Sequence, residues 1–398
     1  MLRFLTAGES HGPELTAILE GLPAGLQLDR EALNDDLARR QIGFGSGGRM
    51  KIERDRAMIT AGVMAGRTTG GPVAVRIENL DYARWRERDV PPMTVPRPGH
   101  ADLTGAIKYG YADLRLALER ASARETAARV AVGGLCKQLL AAFGARVGSY
   151  VTAIGPVTAE IPPEMAYEER FAAAEGDALR CPLPAAAEEM ERHIRAIMQA
   201  KDTAGGVFEV VALGLPPGLG SHVHWDRRLD GLLLGAVGSI HAVKGVEIGP
   251  AFANSARPGS EVHDEIFLDP AGRLARHTNR AGGFEGGITT GEPVVVRGAM
   301  KPISTLLMGR RSVDLAAGEP AETHYERSDF CSVPRAAVVG EAMVAFTLAD
   351  ALVEKLGGDS LAEMRPRFEA LRQARLEELP MDGQAWRFGY EEPPEVGR

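Results

Sequence analysis

The segment AGVMAGRTTGGPVAVR, residues 61–76, recurs as AGGFEGGITTGEPVVVR at residues 281–297, one residue longer. A second pair recurs in the same order: GLPAGL at 21–26 matches GLPPGL at 214–219, and a leucine-rich helical pattern follows each. Two blocks repeated in the same order indicate a duplicated unit of sheet and helices, in which each half covers the apolar face of the other. Chance similarity between glycine-rich turns remains the alternative explanation.

Short apolar runs around these blocks predict strands at 73–77, 207–213 and 293–300. The runs alternate with helical patterns, and the turns after the repeated blocks favour antiparallel pairing over a doubly wound parallel sheet. The predicted fold class is therefore α+β. In detail, we expect an internally duplicated β-α-β sandwich with helices packed between antiparallel sheets.

The predicted domain organisation is a single domain over residues 1–380, with pseudo-repeated halves at about 1–150 and 207–357. Between the halves, residues 182–202 carry an apolar stripe at helical spacing and predict an exposed connecting helix. SVPRAAVVGEAMVAFTLADALVEKL, near the end of the second half, predicts a buried helix. A Pro- and charge-rich C-terminal tail, residues 381–398, is expected to be flexible.

Composition narrows the class of protein. The chain has 398 residues, of which 44% are hydrophobic and 25% charged, as in globular proteins. A net charge of -8 gives no support for a nucleic-acid partner and favours small anionic ligands held by local basic clusters. Cys136, Cys181 and Cys331 are too few and too scattered for a disulfide framework or a metal site. With no secretory segment and no apolar run that approaches the length of a bilayer, we expect a cytoplasmic protein.

One glycine-rich loop resembles a nucleotide-binding motif. GFGSGG at 43–48 fits G-x-G-x-x-G, but it follows a helical pattern and precedes RMKIERD at 49–55, which predicts a strand. Because the dinucleotide fingerprint requires a strand before the loop and a helix after it, the context fails. We interpret it as a flexible loop that lets Arg39, Arg40 and Arg49 converge on an anion; a plain exposed turn is the alternative.

Residues 97–133, RPGHADLTGAIKYGYADLRLALERASARETAARVAVG, form the most polar short segment. Ser122 and Glu125 have the spacing of a capping box at a helix start. Arg120 and Arg124 would then hold an anion at the positive end of that helix. The alternative is a charged amphipathic helix, in which Glu125 makes an ordinary i,i+4 ion pair.

A second cluster lies near the N-terminus. GESHG, residues 8–12, directly follows an apolar run, so a strand is expected to deliver Ser10 and His11 into a glycine-flanked loop. His100 lies in a similar loop, RPGHAD. A single loop histidine is usually an ordinary surface residue, but two histidines together with the arginines indicate an anion-handling catalytic site.

Six blocks of the chain, in order, resemble the signature blocks of the chorismate synthase family. They extend from residue 8 to about residue 337: GESHG, RPGHADLTGAIKYG, ERASARETAARVAVG, SIHAVKGVEIG, AGGFEGGITTGEPVVVRGAMKPIST and RSDFCSVPRAA. Any one block alone would be weak evidence, whereas six in order are specific.

This resemblance implies a lyase of the shikimate pathway that converts 5-enolpyruvylshikimate-3-phosphate to chorismate by anti-1,4-elimination, with reduced FMN required but not consumed. It implies that His11 protonates the departing phosphate, that His100 protonates reduced flavin, and that Asp329 accepts a proton near the flavin. Ser10 and Ser122 would relay protons. The anionic groups of the substrate would be bound by four arginines: Arg40, Arg49, Arg97 and Arg124.

The resemblance also implies a flavin site, a possible NADP contact and an assembly. Arg40 and Ser46 match positions of the possible NADP contact, although Ser46 stands where most members have an arginine. Further departures are Ala121, His241 and Ser328. A homotetramer, possibly served by a separate flavin reductase, is expected, and no metal. The residues implied in FMN binding are Arg120, Ala121, Ser122, His241, Ala242, Gly286, Lys301, Pro302, Ile303, Ser304, Thr305 and Arg327.

Two other functions remain open from the residues alone. The first is a flavin- or nicotinamide-dependent oxidoreductase acting on a small anionic substrate, which the glycine loops and paired histidines would also fit. The second is a module that binds anions or phosphosugars without catalysis. Net consumption of reductant distinguishes the oxidoreductase from the lyase, and dispensable histidines would indicate the binding module.

Overall fold

The computed structural model describes residues 1–46, 53–323 and 329–385. Within these residues, the N-terminal part of the chain alternates short strands with helices. Its strands are β1 (Arg3–Ala7), β2 (Glu14–Glu20), β3 (Ala57–Ala61), β4 (Val63–Met64), β5 (Arg67–Thr68) and β6 (Val73–Glu78). Its helices are α1 (Arg30–Gln41), α2 (Asp102–Tyr109), α3 (Arg115–Ala121) and α4 (Thr126–Ala141), with 3-10 turns at Leu80–Arg84 and Ala123–Glu125.

The C-terminal part follows with a longer series of elements. Its strands are β7 (Arg146–Ile154), β8 (Val157–Thr158), β9 (Gly206–Leu213), β10 (Val243–Ile248), β11 (Ile266–Leu268), β12 (Leu274–Arg276), β13 (Phe284–Glu285), β14 (Ile288–Thr289), β15 (Val294–Met300), β16 (Arg311–Asp314) and β17 (Glu319–Glu322). Its helices are α5 (Tyr167–Glu175), α6 (Pro184–Gln199), α7 (Leu229–Gly238), α8 (Ala251–Asn254), α9 (Gly259–Val262), α10 (Val333–Leu356) and α11 (Leu361–Glu369), with 3-10 turns at Trp225–Arg227 and Leu376–Glu378.

Two antiparallel sheets organise the fold. The first has the order β1-β2-β6-β3 and the second the order β10-β15-β9-β7-β8. Side chains along β6 alternate between buried and exposed, so that Val73, Val75 and Ile77 face the core while Arg76 faces outward. Helices together with antiparallel sheets confirm the α+β class, and β6, β9 and β15 confirm the three predicted strands.

Helices fill the space between the sheets. α4 packs against β2 and β6, α10 packs against β7 and β9, and the two helices pack on each other. The two helices approach closely at Gly133, where a Cβ atom would lie 2.3 Å from the Cα atom of Ala342. Only a glycine at position 133 lets the two backbones come this close.

The apolar helix α10 corrects one sequence-based expectation. By length and composition it could cross a membrane, although no apolar run was expected to approach that length. However, 89% of its most apolar 18-residue stretch is buried inside the fold. It is the central core helix, as predicted for a buried helix in this region.

The repeated sequence blocks make the same contacts in both parts of the chain. The Thr68 hydroxyl accepts a hydrogen bond from the Leu26 N–H (2.9 Å) and donates one to the Pro23 carbonyl (2.6 Å). Thr289 makes the same two bonds to the corresponding residues of 214–219, at 2.9 and 2.8 Å. The strand order β1-β2-β6-β3 also recurs as β7-β9-β15-β10. The predicted division into one domain with two halves stays a prediction.

Two local expectations differ from the structure. Glu53–Asp55, the described end of RMKIERD, are not in a strand; Glu53 and Asp55 instead take part in polar contacts with neighbouring segments. The predicted connecting helix is α6, and one of its faces is buried through Met190 and Ile194. Residues 386–398 of the predicted tail lie outside the described residues.

Candidate active site

The loop that follows β1 is docked against the end of α3. The Nδ1 atom of His11 lies 2.7 Å from Oε1 of Glu119, and the backbone N–H of His11 donates to Oε2, also at 2.7 Å. The N–H of Ser10 donates to the backbone carbonyl of Glu119 (3.0 Å). The indole of Trp85 covers the imidazole, with 4.3 Å between ring centroids. The structure thus holds His11 from two sides.

The second histidine lies at the start of α2. His100 Nδ1 is 2.5 Å from Oδ1 of Asp102, and Arg97 donates three further bonds to the same carboxylate, two from its side chain at 2.8 and 3.0 Å and one from its backbone N–H at 3.0 Å. Burial alone would raise the pKa of Asp102, but the hydrogen bonds from His100 and Arg97 outweigh it and hold that pKa below its usual range. Asp102 is therefore a carboxylate at neutral pH.

The blocks RPGHAD and KPIST meet although two hundred residues separate them. Arg97 Nη1 donates to the hydroxyl of Thr305 (2.9 Å), and Lys301 Nζ donates to the carbonyl of Gly99 (3.3 Å). The segment 301–305, implied in cofactor binding, consequently lies beside His100. Tertiary packing brings together two blocks that the sequence could only place in order.

A buried arginine cluster surrounds Asp55. Arg40 Nη2 and Arg124 Nη1 donate to the two oxygens of its carboxylate at 2.7 and 2.6 Å, and all three side chains are buried. Arg124 Nε also donates to Asn79 (2.7 Å). Burial would raise the pKa of Asp55, but the charges of Arg40 and Arg124 outweigh it and lower that pKa. Two of the predicted substrate arginines therefore share one centre.

Arg335, on α10, is a third arginine at this cluster. It forms an ion pair with Asp329, and its charge also acts on Arg40 and Asp55. Its Nε and Nη2 atoms are buried and have no hydrogen-bond partner among the described residues. Nε of Arg40 is likewise buried without a partner among these residues. The Arg335 side chain is buried, and this burial lowers its pKa. Buried donors of this kind are suited to an anionic ligand.

Not all predicted anion ligands converge there. Arg39 turns away from Arg40 and binds the buried carboxylate of Glu341 at 2.7 and 2.8 Å, so the expected convergence of the loop arginines is wrong for Arg39. Arg97 belongs to the His100 cluster. Arg49 lies outside the described residues. The Ser46 hydroxyl, which stands where a family arginine was expected, donates to the Gly43 carbonyl within the same loop.

A cavity of about 500 Å³ is lined by residues of β1, α3 and α4 and by His241, on which the charge of His100 also acts. Arg120 extends into it and donates to the backbone carbonyl and the hydroxyl of Thr6 at 2.8 and 2.9 Å. Burial lowers the pKa of His241, and its Nδ1 atom has no hydrogen-bond partner among the residues described. The lining residues are Phe4, Leu5, Thr6, Arg120, Glu125, Arg129, Ser239, His241 and Met343.

The start of α4 differs from the expected capping box. The Ser122 hydroxyl accepts from the N–H of Arg124 (3.3 Å), whereas the Glu125 carboxylate bonds to Thr6 (2.6 Å) and Arg129 (2.9 Å). Ser122 is a cap, and the i,i+4 pair of Glu125 forms, but the reciprocal bond of a capping box does not. Arg120 enters the cavity while Arg124 binds Asp55, so the two do not hold one anion.

The remaining residues implied in flavin binding are distributed unevenly. Ala121 ends α3, and Ala242, which has a positive φ of 65°, accepts from the Lys301 N–H at 2.9 Å. Gly286 lies in the β13–β14 hairpin beside His222, away from the residues that line the cavity. Arg327 and Ser328 lie outside the described residues.

Comparisons with known proteins decide the family. The family model for chorismate synthase matches residues 2–353. The chain belongs to the chorismate synthase family. It is 54% identical over 381 residues to the chorismate synthase of Symbiobacterium thermophilum, covering 92% of this chain and 97% of that protein. It is 53% identical over 387 residues to that of Aquifex aeolicus, covering 92% and 96%.

The fold agrees with this family. A crystal structure of chorismate synthase superposes with a TM-score of 0.77 at 46% sequence identity, and the match covers 92% of this chain and 96% of that one. The sequence-based assignment to the chorismate synthase family is therefore confirmed.

Sequence reasoning missed three residues that the structure brings into the site. Arg335 lies within the block RSDFCSVPRAA and Glu119 begins the block ERASARETAARVAVG, so their positions in family blocks were the available signal. Asp55 lies in no such block, and only packing reveals it. The described residues contain no group of three or more His, Cys, Asp or Glu side chains that could hold a metal ion.

Proposed function

We propose that this chain converts 5-enolpyruvylshikimate-3-phosphate to chorismate and phosphate by anti-1,4-elimination, with reduced FMN as its cofactor. The carrying observation is the buried cluster of Arg40, Arg124 and Arg335, whose donors at Arg335 Nε and Nη2 have no partner among the described residues. A substrate with one phosphate and two carboxylates needs several cations, and the planar guanidinium group binds such anions through paired hydrogen bonds.

Proton transfer is assigned to two histidines, one aspartate and two serines. His11 acts as the acid for the departing phosphate, a task that suits an imidazole near neutral pH. His100 protonates the reduced flavin, while Asp329, paired with Arg335, accepts a proton near the flavin. Ser10 is buried next to His11 and, with Ser122, relays protons.

The cavity at Arg120 and His241 fits a flavin. Its volume of about 500 Å³ falls within the range of small-molecule sites, and Nδ1 of His241, which has no hydrogen-bond partner among the described residues, gives it a buried polar group. Arg120, Lys301 and His241 would hold the cofactor. When bound, reduced FMN supplies electron density to the substrate while the phosphate leaves.

Several finer assignments complete the proposal. The enzyme acts in the cytoplasm as a homotetramer of duplicated sandwich subunits, and its FMN is reduced either by the chain itself or by a separate flavin reductase. Arg40 is buried and donates to the Asp55 carboxylate at 2.7 Å, beside Arg124. We therefore assign Arg40 to the substrate and not to the phosphate of a nicotinamide nucleotide. At the other position of the possible NADP contact, Ser46 has only a hydroxyl group, which donates to the Gly43 carbonyl in the same loop.

An anaerobic assay with purified protein, chemically reduced FMN and the phosphorylated substrate tests the proposal. We expect chorismate to form over many turnovers while the absorbance of reduced FMN stays constant. Oxidation of one FMN for each product formed would refute the elimination and support the oxidoreductase.

Two histidine variants test the catalytic role of His11. His11→Ala is expected to lower turnover by about 10²-fold or more, because a positioned acid is lost. His224→Ala is the matched control, since His224 also pairs with a carboxylate, Asp226, but is exposed. Equal turnover in the two variants would refute the role of His11.

A further inference from the structure

The carboxylate of Glu119 is committed to a single residue. Both hydrogen bonds that it accepts among the described residues come from His11, one from the ring Nδ1 and one from the backbone N–H, each at 2.7 Å. One carboxylate therefore holds both the position of the loop and the orientation of the ring. His11 and Glu119 are separated by 108 positions in the chain, so only the packing of α3 on the loop creates this pair.

The chemistry of this pair sets the tautomer of the imidazole. Burial would raise the pKa of Glu119, but the bonds from the side chain and backbone of His11 outweigh it and lower that pKa, so the group is an anion. An anionic oxygen can only accept, and the Nδ1 atom that faces it must carry the proton. The Nε2 atom is then the ring nitrogen left for proton exchange with a ligand.

The surroundings of His11 strengthen this assignment. Trp85 covers one face of its ring, and the Trp85 indole is itself held by a bond from Nε1 to Asp81 (3.1 Å). The other charged group acting on Glu119 is Arg115, on the same helix. The ring can therefore rotate little about its Cβ–Cγ bond without losing both contacts.

The second histidine offers a contrast. His100 Nδ1 lies between a carboxylate, Asp102 at 2.5 Å, and a guanidinium, Arg97 at 3.1 Å. An acceptor and a donor thus compete for the same nitrogen, and the Asp102 carboxylate is shared with Arg97. His11 faces no such competition among the described residues.

We propose that Glu119 is a positioning residue that keeps Nδ1 of His11 protonated, so that the imidazolium gives its Nε2 proton to the substrate phosphate and is left as the neutral Nδ1–H tautomer. This inference rests on the proposed role of His11 as the acid. Glu119 touches neither substrate nor cofactor, and its effect on the reaction passes through the imidazole.

A double-mutant cycle in the full-length protein with reduced FMN tests the coupling. Glu119→Gln keeps the size of the side chain but removes its charge, and we expect kcat to fall about 10- to 100-fold, as for other partners that orient a functional histidine, with KM within about twofold. In a His11→Ala background the same change should lower kcat by no more than about twofold, because the group it acts through is gone. Equal losses in both backgrounds would overturn the proposal.

A second measurement is independent of activity. Nitrogen NMR of protein labelled at histidine distinguishes the two tautomers, and we expect the His11 signals of the parent to report a protonated, hydrogen-bonded Nδ1. Glu119→Gln should move these signals toward a mixture of tautomers. Unchanged His11 signals in that variant would overturn the proposal.

Controls separate this inference from the proposed function. Asp226→Asn breaks an exposed histidine–carboxylate pair of the same type, 2.6 Å long, and should leave kcat unchanged. If Glu119→Gln does not fold, Glu119→Asp keeps the charge but withdraws it by one methylene, and the same losses are expected. If His11→Ala turns over as fast as the parent, His11 is not the acid, and this inference fails together with the proposed function. That conclusion would hold even if NMR detects a hydrogen bond at Nδ1.

Discussion

Arg335 is the residue whose removal should affect substrate binding most directly. Its Nε and Nη2 atoms are buried without a partner among the described residues, so the free protein gains nothing from these two donors. If the substrate phosphate fills both, each charge-assisted hydrogen bond contributes about 1.5–3 kcal/mol. Arg335→Met should therefore weaken binding by about 3 kcal/mol or more, which corresponds to roughly 10²-fold or more in Kd.

Binding can be measured without turnover because the proposed reaction requires reduced flavin. Isothermal titration of the phosphorylated substrate into protein saturated with oxidised FMN gives Kd for the parent, Arg335→Met and Arg335→Lys. The lysine variant keeps the charge but loses the planar fork, so its affinity should lie between the other two.

The stability of the variant gives a second, contrasting readout. A buried cation with unpaired donors is costly to desolvate, and an apolar side chain of similar volume often replaces such a group without loss. We expect the melting temperature of Arg335→Met to fall far less than its affinity. A Kd within threefold of the parent would refute the reasoning and leave Arg335 as a partner of Asp329 only.

Three further predictions concern packing, charge and the cofactor. In a urea titration, Gly133→Ala should lower the free energy of unfolding by about 1–3 kcal/mol, because the new Cβ atom would lie 2.3 Å from Ala342 Cα. Gly235→Ala is the control and should raise the free energy of unfolding by up to about 1 kcal/mol. Gly235 lies in a helix, and apart from its own helix backbone and chain neighbours no described atom lies within 4 Å of its Cβ position. Glu341→Gln should cost about 3–5 kcal/mol at pH 7, since it removes the fully buried charge that pairs with Arg39, Lys137 and Arg180. Burial would raise the pKa of Glu341, but its cationic partners hold it below its ordinary value of 4.5. The stabilisation from this carboxylate is therefore present above pH 4.5 and is lost as the pH falls below that value. If the difference in unfolding free energy between the parent and Glu341→Gln does not narrow on acidification, this prediction is wrong. His241→Ala should weaken binding of oxidised FMN about tenfold in a fluorescence titration, as expected for one lost hydrogen bond, and an unchanged Kd would remove His241 from the flavin site.

Local pattern was sufficient where a feature depends on neighbours along the chain. Valine-rich runs predicted the strands now seen as β6, β9 and β15, because alternation of side chains is a property of a few consecutive residues. The helix α10 was predicted as buried for the same reason. Six ordered blocks were enough to identify the family, and with it the catalytic chemistry, before any contact was known.

Partners across the chain could not be predicted in this way. Arg39 and Arg40 are neighbours in sequence, yet one binds Glu341 and the other Asp55, because successive side chains on a helix point about 100° apart. Arg120 and Arg124 separate likewise, although both were expected at one anion. The spacing of charges did not indicate which element would pack against each side chain.

The sequence by itself thus determined the family, the α+β class and the types of side chain available for the chemistry. Only the tertiary structure decided which carboxylate faces His11 and which faces His100, and which arginine donors have no partner among the described residues. The physical reason is that hydrogen bonds and ion pairs between distant residues depend on how the sheets and helices pack. Glu119 and His11 meet because α3 docks on the loop after β1, and no local pattern encodes that contact.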